Sequence, residues 1–370
     1  MSSEPKDIVT VFDVDWDDLW YYFQEYPTRF AQTGHRVFYL NKILARWPKF
    51  YHFKERFFSR AGTQKQRNPR HENIRVVTPI WPPPTRGLRF INRLLIKRDI
   101  SRLDIRESIF ITNNPTYNTI DVIDILKPWR SVYINMHNYD DCFRVLKDVR
   151  EAEKVLVNKV DVLMGDALFN IERLKRMAPG RTIYQAPPGV DYSRFRNAYR
   201  GDETQRLKKI YYFGTLKRDL NLELMDQLGK RYEMIFIGQV PGDVKHHVPP
   251  NIKVLPPVEQ DVLVTKLKDA DMIGLFYANT DFNKGCIPAK IFECMATGKP
   301  VLVCGLPEAL PYQDAVYCFD GSFEKAKEII EHLPETETEE RRKRRDAFAH
   351  EADWENRFNQ FRDILFSNTP

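Results

Sequence analysis

No stretch of the 370 residues approaches the roughly 18 consecutive apolar residues that a membrane-crossing helix requires. The opening residues, MSSEPKDIVTVFDVDW, run directly into a strand pattern. They lack the basic segment and apolar core of a secretory leader, so none is expected. Cysteine is sparse: Cys142, Cys286, Cys294, Cys304 and Cys318 are odd in number and show no CxxC spacing. That excludes a disulfide framework and a structural zinc site, and predicts reduced, intracellular packing residues. Neither GxGxxG nor GxxxxGK[ST] occurs, which removes the dinucleotide fingerprint and the P-loop.

What is present is an alternation of short apolar runs and helical patterns. Strands are predicted at residues 7–12, 35–40, 74–79, 109–112, 132–136, 160–164 and 183–186. After a polar stretch, 197–208, the rhythm restarts with strands at 209–213, 233–237, 252–255, 272–276, 301–304 and 316–319. Helices are predicted between them, among them 20–32, 141–159, 166–177, 221–229 and 261–268. This order predicts an α/β protein with two Rossmann-like domains facing across a cleft. The expected divisions are 1–198, 199–345 and a final segment, 346–370, that crosses back to the first domain. In such sheets ligands bind beyond the carboxyl ends of the strands.

Charge is uneven. Residues 42–106 hold 17 Lys/Arg against 4 Asp/Glu, within a net charge of +6. Aromatic residues, including Phe57, Phe58 and Trp81, lie in the same region. Within it, Leu88, Ile91 and Leu95 recur near helical spacing beside Arg89, Arg93 and Lys97. A basic amphipathic helix suits an anionic membrane surface; an ordinary helix packed on the sheet is the alternative. No nucleic-acid recognition motif accompanies the charge, so no nucleic-acid partner is expected.

The stretch CIPAKIFECMATGKPVL, residues 286–302, reads as a helix and a buried strand. Pro288 suits the first turn and Gly298 the position after the last. Lys290 and Glu293 are i,i+3 neighbours: either an exposed ion pair, or an amine and a carboxylate set for pyrophosphate and ribose at a helix start. Upstream, KIYYFGTLKR (209–218) is a strand, a glycine turn and two cations, Lys217 and Arg218.

Together with IFIGQV, NIKVLPPVEQDVLVTKLKDADMIGLFY, VDWDDLWYYFQEYPTRFAQTGHRVFYLN and APPGVDYSRF, these residues resemble GT-B glycosyltransferases over nearly the whole chain. The similarity is to the bacterial branch acting in cell-surface polysaccharide biosynthesis, of teichuronic-acid type and related to GT4-like enzymes. The resemblance implies a metal-independent hexosyltransferase. It would move sugar from a nucleotide diphosphate sugar, a UDP-sugar first among donors, to a surface-glycan or lipid-linked hydroxyl. No cofactor or metal is implied, and the place of work would be the cytoplasm or the cytoplasmic membrane face. Glu293 would hold the ribose, with Lys290, Pro288 and Ala289 at nucleotide or phosphate. Gly214, Thr215 and Gly238 would shape the diphosphate site, and Lys217 or Arg218 would neutralise the leaving group. Two departures are Cys294, where relatives carry tyrosine, and Ile287, where asparagine is common. At the acceptor face, His137, Asp140, Asp141 and Asp15 are the candidate catalytic groups, with Trp16 or Trp20 stacking on sugar and Asn113, Asn114 and Tyr117 as further candidates. His137 as a structural residue and Asp17 or Asp18 as helix caps are the competing readings. A nucleotide-sugar epimerase of the same fold, or a non-catalytic glycan- or nucleotide-binding subunit, remains an alternative.

Overall fold

The computed structural model describes residues 6–18, 20–41, 68–140, 147–199, 201, 208–217, 219–242 and 244–367. Asp141, Arg218, Phe57 and Phe58, named above, lie outside them. Every strand expected from the apolar runs forms, with ends shifted by a residue or two.

The first seven are β1 (Asp7–Val11), β2 (Val37–Leu40), β3 (Ile74–Val77), β4 (Ser108–Thr112), β5 (Arg130–Asn135), β6 (Val162–Gly165) and β7 (Ile183–Gln185). They form one sheet in the order β3-β2-β1-β4-β5-β6-β7, parallel throughout. The other six are β8 (Lys209–Thr215), β9 (Glu233–Gln239), β10 (Ile252–Leu255), β11 (Met272–Phe276), β12 (Val301–Cys304) and β13 (Tyr317–Phe319). Their order, β10-β9-β8-β11-β12-β13, repeats the first six of the other sheet, again parallel. Strands such as β1, β4 and β11 are buried along their whole length. That is why they read as unbroken apolar runs rather than alternating ones. Each strand order reverses between its first and fourth members. Such a reversal leaves room between the outgoing loops for a ligand.

Two compact units result, Met1–Ala186 with Gln360–Pro370, and Pro187–Asn359. The divides therefore fall about a dozen residues from the expected 198/199 and 345/346. Residues 187–198 belong with the second unit for a local reason. Val190 donates its N–H to Ala352 O (2.9 Å), Trp354 returns one to Val190 O (3.0 Å), and the Phe195 ring lies against Phe213. The last helix, Trp354–Phe366, ends in the first unit. There Phe361 stacks on Tyr26 at 4.6 Å, and Arg130 donates to Ser367 O at 2.7 Å.

The first unit's core gathers Val9, Phe38, Phe110, Tyr133 and Leu163 from the sheet. Over them lie Ile96 and Ile100 of helix Arg89–Ile100, Ile120 of helix Tyr117–Leu126 and Leu156 of helix Lys147–Lys159. The sequence reading missed helix Tyr117–Leu126. Its first seven residues are all buried, so no polar stripe marks a helical period.

Candidate functional site

In the second unit the predicted residues converge at the carboxyl ends of β8 and β9 and on the helix after β11. Gly214, in β8, has φ +120° and Gly238, in β9, has φ +151°. They are register partners, and a Cβ on Gly238 would run into the Gly214 carbonyl. A Cβ on Gly214 would lie 2.5 Å from Lys290 Nζ. Only glycines permit this approach of backbone to backbone, and of the Lys290 amine to Gly214. Thr215 follows, half-buried, and Lys217 is exposed.

Helix Lys290–Ala296 begins after Pro288 and Ala289, with Ala289 already helical and no side-chain cap. It buries Ile291, Phe292 and Met295, as the spacing predicts, and Gly298 follows it at φ +74°. Seven residues make only two turns, so its dipole is short. Side-chain amines, more than the helix start, set the positive potential here.

Lys290 and Glu293 are half-buried. The Lys290 amine lies 4.9 Å over the Tyr212 ring and 3.4 Å from its hydroxyl, and Tyr212 in turn stacks on Phe236. Burial lowers the Lys290 pKa, against the opposing pull of Glu293, and the nearby charge of Lys217 lowers it further. Burial also pushes Glu293 up to about 7, with Lys290 pulling the other way. No hydrogen bond satisfies the Glu293 carboxylate among the described residues. An exposed surface pair would show neither feature. A carboxylate without hydrogen-bond donors beside two amines suits a ligand with hydroxyls and anionic oxygens.

In the first unit, amides and carboxylates line the carboxyl ends of β1, β4 and β5. Asp13 and Asn113 bond reciprocally: Asp13 N–H to Asn113 Oδ1 (3.2 Å) and Asn113 Nδ2 to Asp13 Oδ1 (2.9 Å). This joins β1 to β4 where the strand order reverses. Tyr139 donates its hydroxyl to Asn113 O at 3.1 Å. Asp15 and His137 are half-buried, and the His137 ring meets Tyr139 edge-on at 5.8 Å. Asn113 and Asn114 are buried.

Two expectations need correction. Trp16 is fully buried, edge-on to Tyr39 (5.2 Å) and Trp20 (6.0 Å); it is core and offers no face to a sugar. Trp20 is half-buried and donates its indole N–H to Glu25 at 2.7 Å. Asp17 and Asp18 do not cap the first helix, which starts at Tyr22 after Tyr21. Asp17 pairs with Arg70 (3.0 Å), and Asp18 accepts the Asp15 N–H (3.2 Å). Asp140 is exposed but ion-paired to Arg173 at 2.8 Å. That hydrogen bond holds its carboxyl below the ordinary carboxylate range, which weakens it as a base.

Sequence reasoning missed the group behind Asp140. Arg173 grips buried Glu153 with two bonds, 2.8 and 2.6 Å. Glu153 also accepts from Tyr133 (2.8 Å) and Asn135 (2.7 Å). Burial works against the Arg173 charge, but the two carboxylates outweigh it and raise its pKa. The Oδ1 of fully buried Asn135, at the end of β5, has no hydrogen-bond partner among the described residues. A signal existed: Glu153 falls in register with Val149, Ala152, Leu156 and Val157 on the inner face of its helix, where only a partnered charge is tolerated. Among the described residues no three His, Cys, Asp or Glu are placed to hold a metal ion.

No protein-family model matches the chain, and no curated protein matches it. Solved structures do. Anabaena HepE in complex with UDP and glucose is similar at 13% identity over 97% of this chain and 99% of that one, TM-score 0.67. A sucrose-phosphate synthase from Thermosynechococcus elongatus is 11% identical over 97% and 98%, TM-score 0.69. A glycosyltransferase from Rickettsia africae is 11% identical over 99% and 100%, TM-score 0.67. At these identities the likeness is one of fold, and the fold is GT-B, with two Rossmann-like units.

Proposed function

We propose that the chain is a glycosyltransferase that takes a nucleotide diphosphate sugar, a UDP-sugar first among donors, on its second unit and a glycan or lipid-linked hydroxyl on its first. The observation that carries this reading is the Lys290–Glu293 pair set over Gly214, where the second sheet reverses its strand order. Glu293 accepts the ribose hydroxyls. Lys290 and Lys217, with Gly214, Thr215 and Gly238 giving backbone access, face the diphosphate. Pro288 and Ala289 supply the turn that starts the helix, and Arg218 is a further candidate cation. HepE was solved with UDP and with UDP-glucose, which supports uridine as the base. The similar structures, a glycosyltransferase and a sucrose-phosphate synthase among them, favour transfer over epimerisation and over a binding-only role.

In the reaction the acceptor oxygen bonds to the anomeric carbon, the bond from that carbon to the β-phosphate oxygen breaks, and UDP departs. Developing charge on the diphosphate is met by the two amines, a preorganised stabilisation of the transition state. The acceptor proton passes to a base. His137 is favoured over Asp140, whose carboxylate is already held by Arg173. In this reading Asp15 orients the acceptor, and Asp141 is a further candidate. Amides at the ends of β4 and β5 suit a polyhydroxyl acceptor. A cytoplasmic location belongs to the same reading.

Calorimetric titration with UDP, followed by transfer assays with a panel of UDP-sugars, tests it. Binding of UDP that Glu293→Ala weakens, with sugar appearing on an added glycan acceptor, supports the reading. Interconversion of donor sugars without acceptor would establish the epimerase instead. Failure of any sugar nucleotide to bind or to protect against heat would sink both.

A further inference from the structure

Helix Arg89–Ile100 carries apolar side chains on two faces. Its inner face buries Asn92, Ile96 and Ile100, whereas Phe90, Ile91 and Leu94 are 75%, 50% and 56% exposed. Polar contacts join Ile96 and Ile100 in fixing which way the helix faces. Arg89 and Arg93 both bind fully buried Asp121, at 2.9 and 2.8 Å. Asn92 donates to Pro83 O at 3.2 Å. Those bonds hold the helix to helix Tyr117–Leu126 with Phe90, Ile91 and Leu94 outward, where burial in the core would otherwise be preferred.

At about 100° per residue, Phe90 and Leu94 lie side by side along the centre of the outer face, with Ile91 next to them. Lys97 flanks one side, and Arg98, paired to Asp99, and Arg102 the other; Arg86 and Arg93 are held by Glu151 and Asp121. From residue 86 to 102 six basic residues stand against Asp99 alone. Lys97 and Arg102 have no acidic partner among the described residues. Trp81, expected to join this surface, turns inward instead, packing on the core and donating to Asp99 at 2.9 Å. Leu95, also expected on it, is half-buried.

We infer that this face docks the protein on an anionic lipid bilayer, Phe90, Ile91 and Leu94 entering the headgroup–acyl boundary and the flanking cations meeting lipid phosphates. An apolar centre with cations on both sides is the arrangement an interfacial helix uses. A second protein of unspecified sequence is less suited, since it would have to match both a charged rim and a ridge of three protruding side chains. The inference is independent of the donor site: vesicle binding can fail while nucleotide binding holds, and the reverse.

The full chain is floated with vesicles of phosphatidylcholine, or of phosphatidylcholine mixed with phosphatidylglycerol. The expected result is binding to the mixed vesicles only, weakening as salt rises. Phe90→Ser with Leu94→Ser is expected to reduce it about tenfold or more, from the apolar area withdrawn. UDP binding and the melting temperature, measured on the same variant, show that it folds. Phe90→Trp gives a readout without loss: its emission should move to shorter wavelength on mixed vesicles. The inference is overturned if neither vesicle binds, if the double variant binds as tightly as the parent, or if the Phe90→Trp emission is unmoved while the protein binds. It is equally overturned if sedimentation shows a dimer that the double variant splits, since the face then pairs two copies of this chain.

Discussion

The two sheets share a strand order and differ at their carboxyl edges. The second presents amines over a pair of glycines, with one carboxylate raised to about 7. The first presents amides and paired acids, tied together by short bonds such as Asp13–Asn113 and Arg173–Glu153. One edge suits a doubly anionic group; the other suits hydroxyls that both donate and accept. The same scaffold is thus given opposite recognition chemistry by the few residues that follow each strand, which is why fold likeness alone does not assign a substrate.

The contrast can be tested from its largest expected effect downward. If the first edge does the proton transfer, His137→Ala lowers transfer about 100- to 10,000-fold in kcat while leaving UDP affinity unchanged. Equal activity of this variant in a steady-state assay removes the histidine from the chemistry. Each unit also holds one buried arginine–glutamate fork, Arg173–Glu153 and Arg345–Glu337. Breaking either with Glu153→Ala or Glu337→Ala should destabilise its unit by about 3–5 kcal/mol, read as a lowered midpoint in denaturant unfolding. A shift below 1 kcal/mol would show water reaching the orphaned arginine.

Glu293→Ala should weaken UDP binding by about 1–3 kcal/mol, the scale of lost charged hydrogen bonds, as read by calorimetry. The pH dependence sharpens this. If the ionised carboxylate accepts ribose hydroxyls, then with its pKa raised to about 7 by burial UDP-glucose affinity should fall as pH drops below 7 and level off above it. The same shift acts oppositely on stability. The folded protein binds this proton more tightly than the unfolded chain does, so Glu293 favours folding at acid pH, and that contribution is lost as pH rises to about 7. Glu293→Gln should therefore flatten both profiles. Smallest of all, Asp140→Asn should change transfer less than tenfold, because Asp140 is exposed and the buried Arg173 keeps Glu153 as its partner. A loss as large as that of His137→Ala would return Asp140 to the catalytic role.

Much of this was legible in the sequence. Parallel strands buried on both faces, such as β1, β4 and β11, announce themselves as continuous apolar runs, and the more exposed β3, β7 and β10 were visible from their place in the same rhythm. Lys290, Glu293 and Gly214 could be picked out as candidates too, because a glycine turn and a short helix keep such residues local in sequence. The first unit hid its chemistry for the converse reason. Asp13 meets Asn113 a hundred residues away, and Arg173 meets Glu153 across two helices; only the fold brings them together. Trp16 misled because an aromatic residue in an acidic loop looks like a sugar platform, yet Tyr39 and Trp20 enclose it. The basic run of helix Glu339–Glu351 shows how charge can mislead in the same way. Arg345 is buried against Glu337 and the Gly298 carbonyl, Arg344 pairs with Asp314 and Glu340, and Lys343 with Glu339.

The closing helix, Trp354–Phe366, carries a consequence for synthesis. Its Phe361, 2% exposed, completes a core otherwise made by residues translated first. The amino-terminal sheet therefore leaves the ribosome unfinished and stays so while the whole second unit is made. Its final closure waits for this helix, and a nascent chain stalled before Phe361 would leave Tyr26 and Phe30 uncovered.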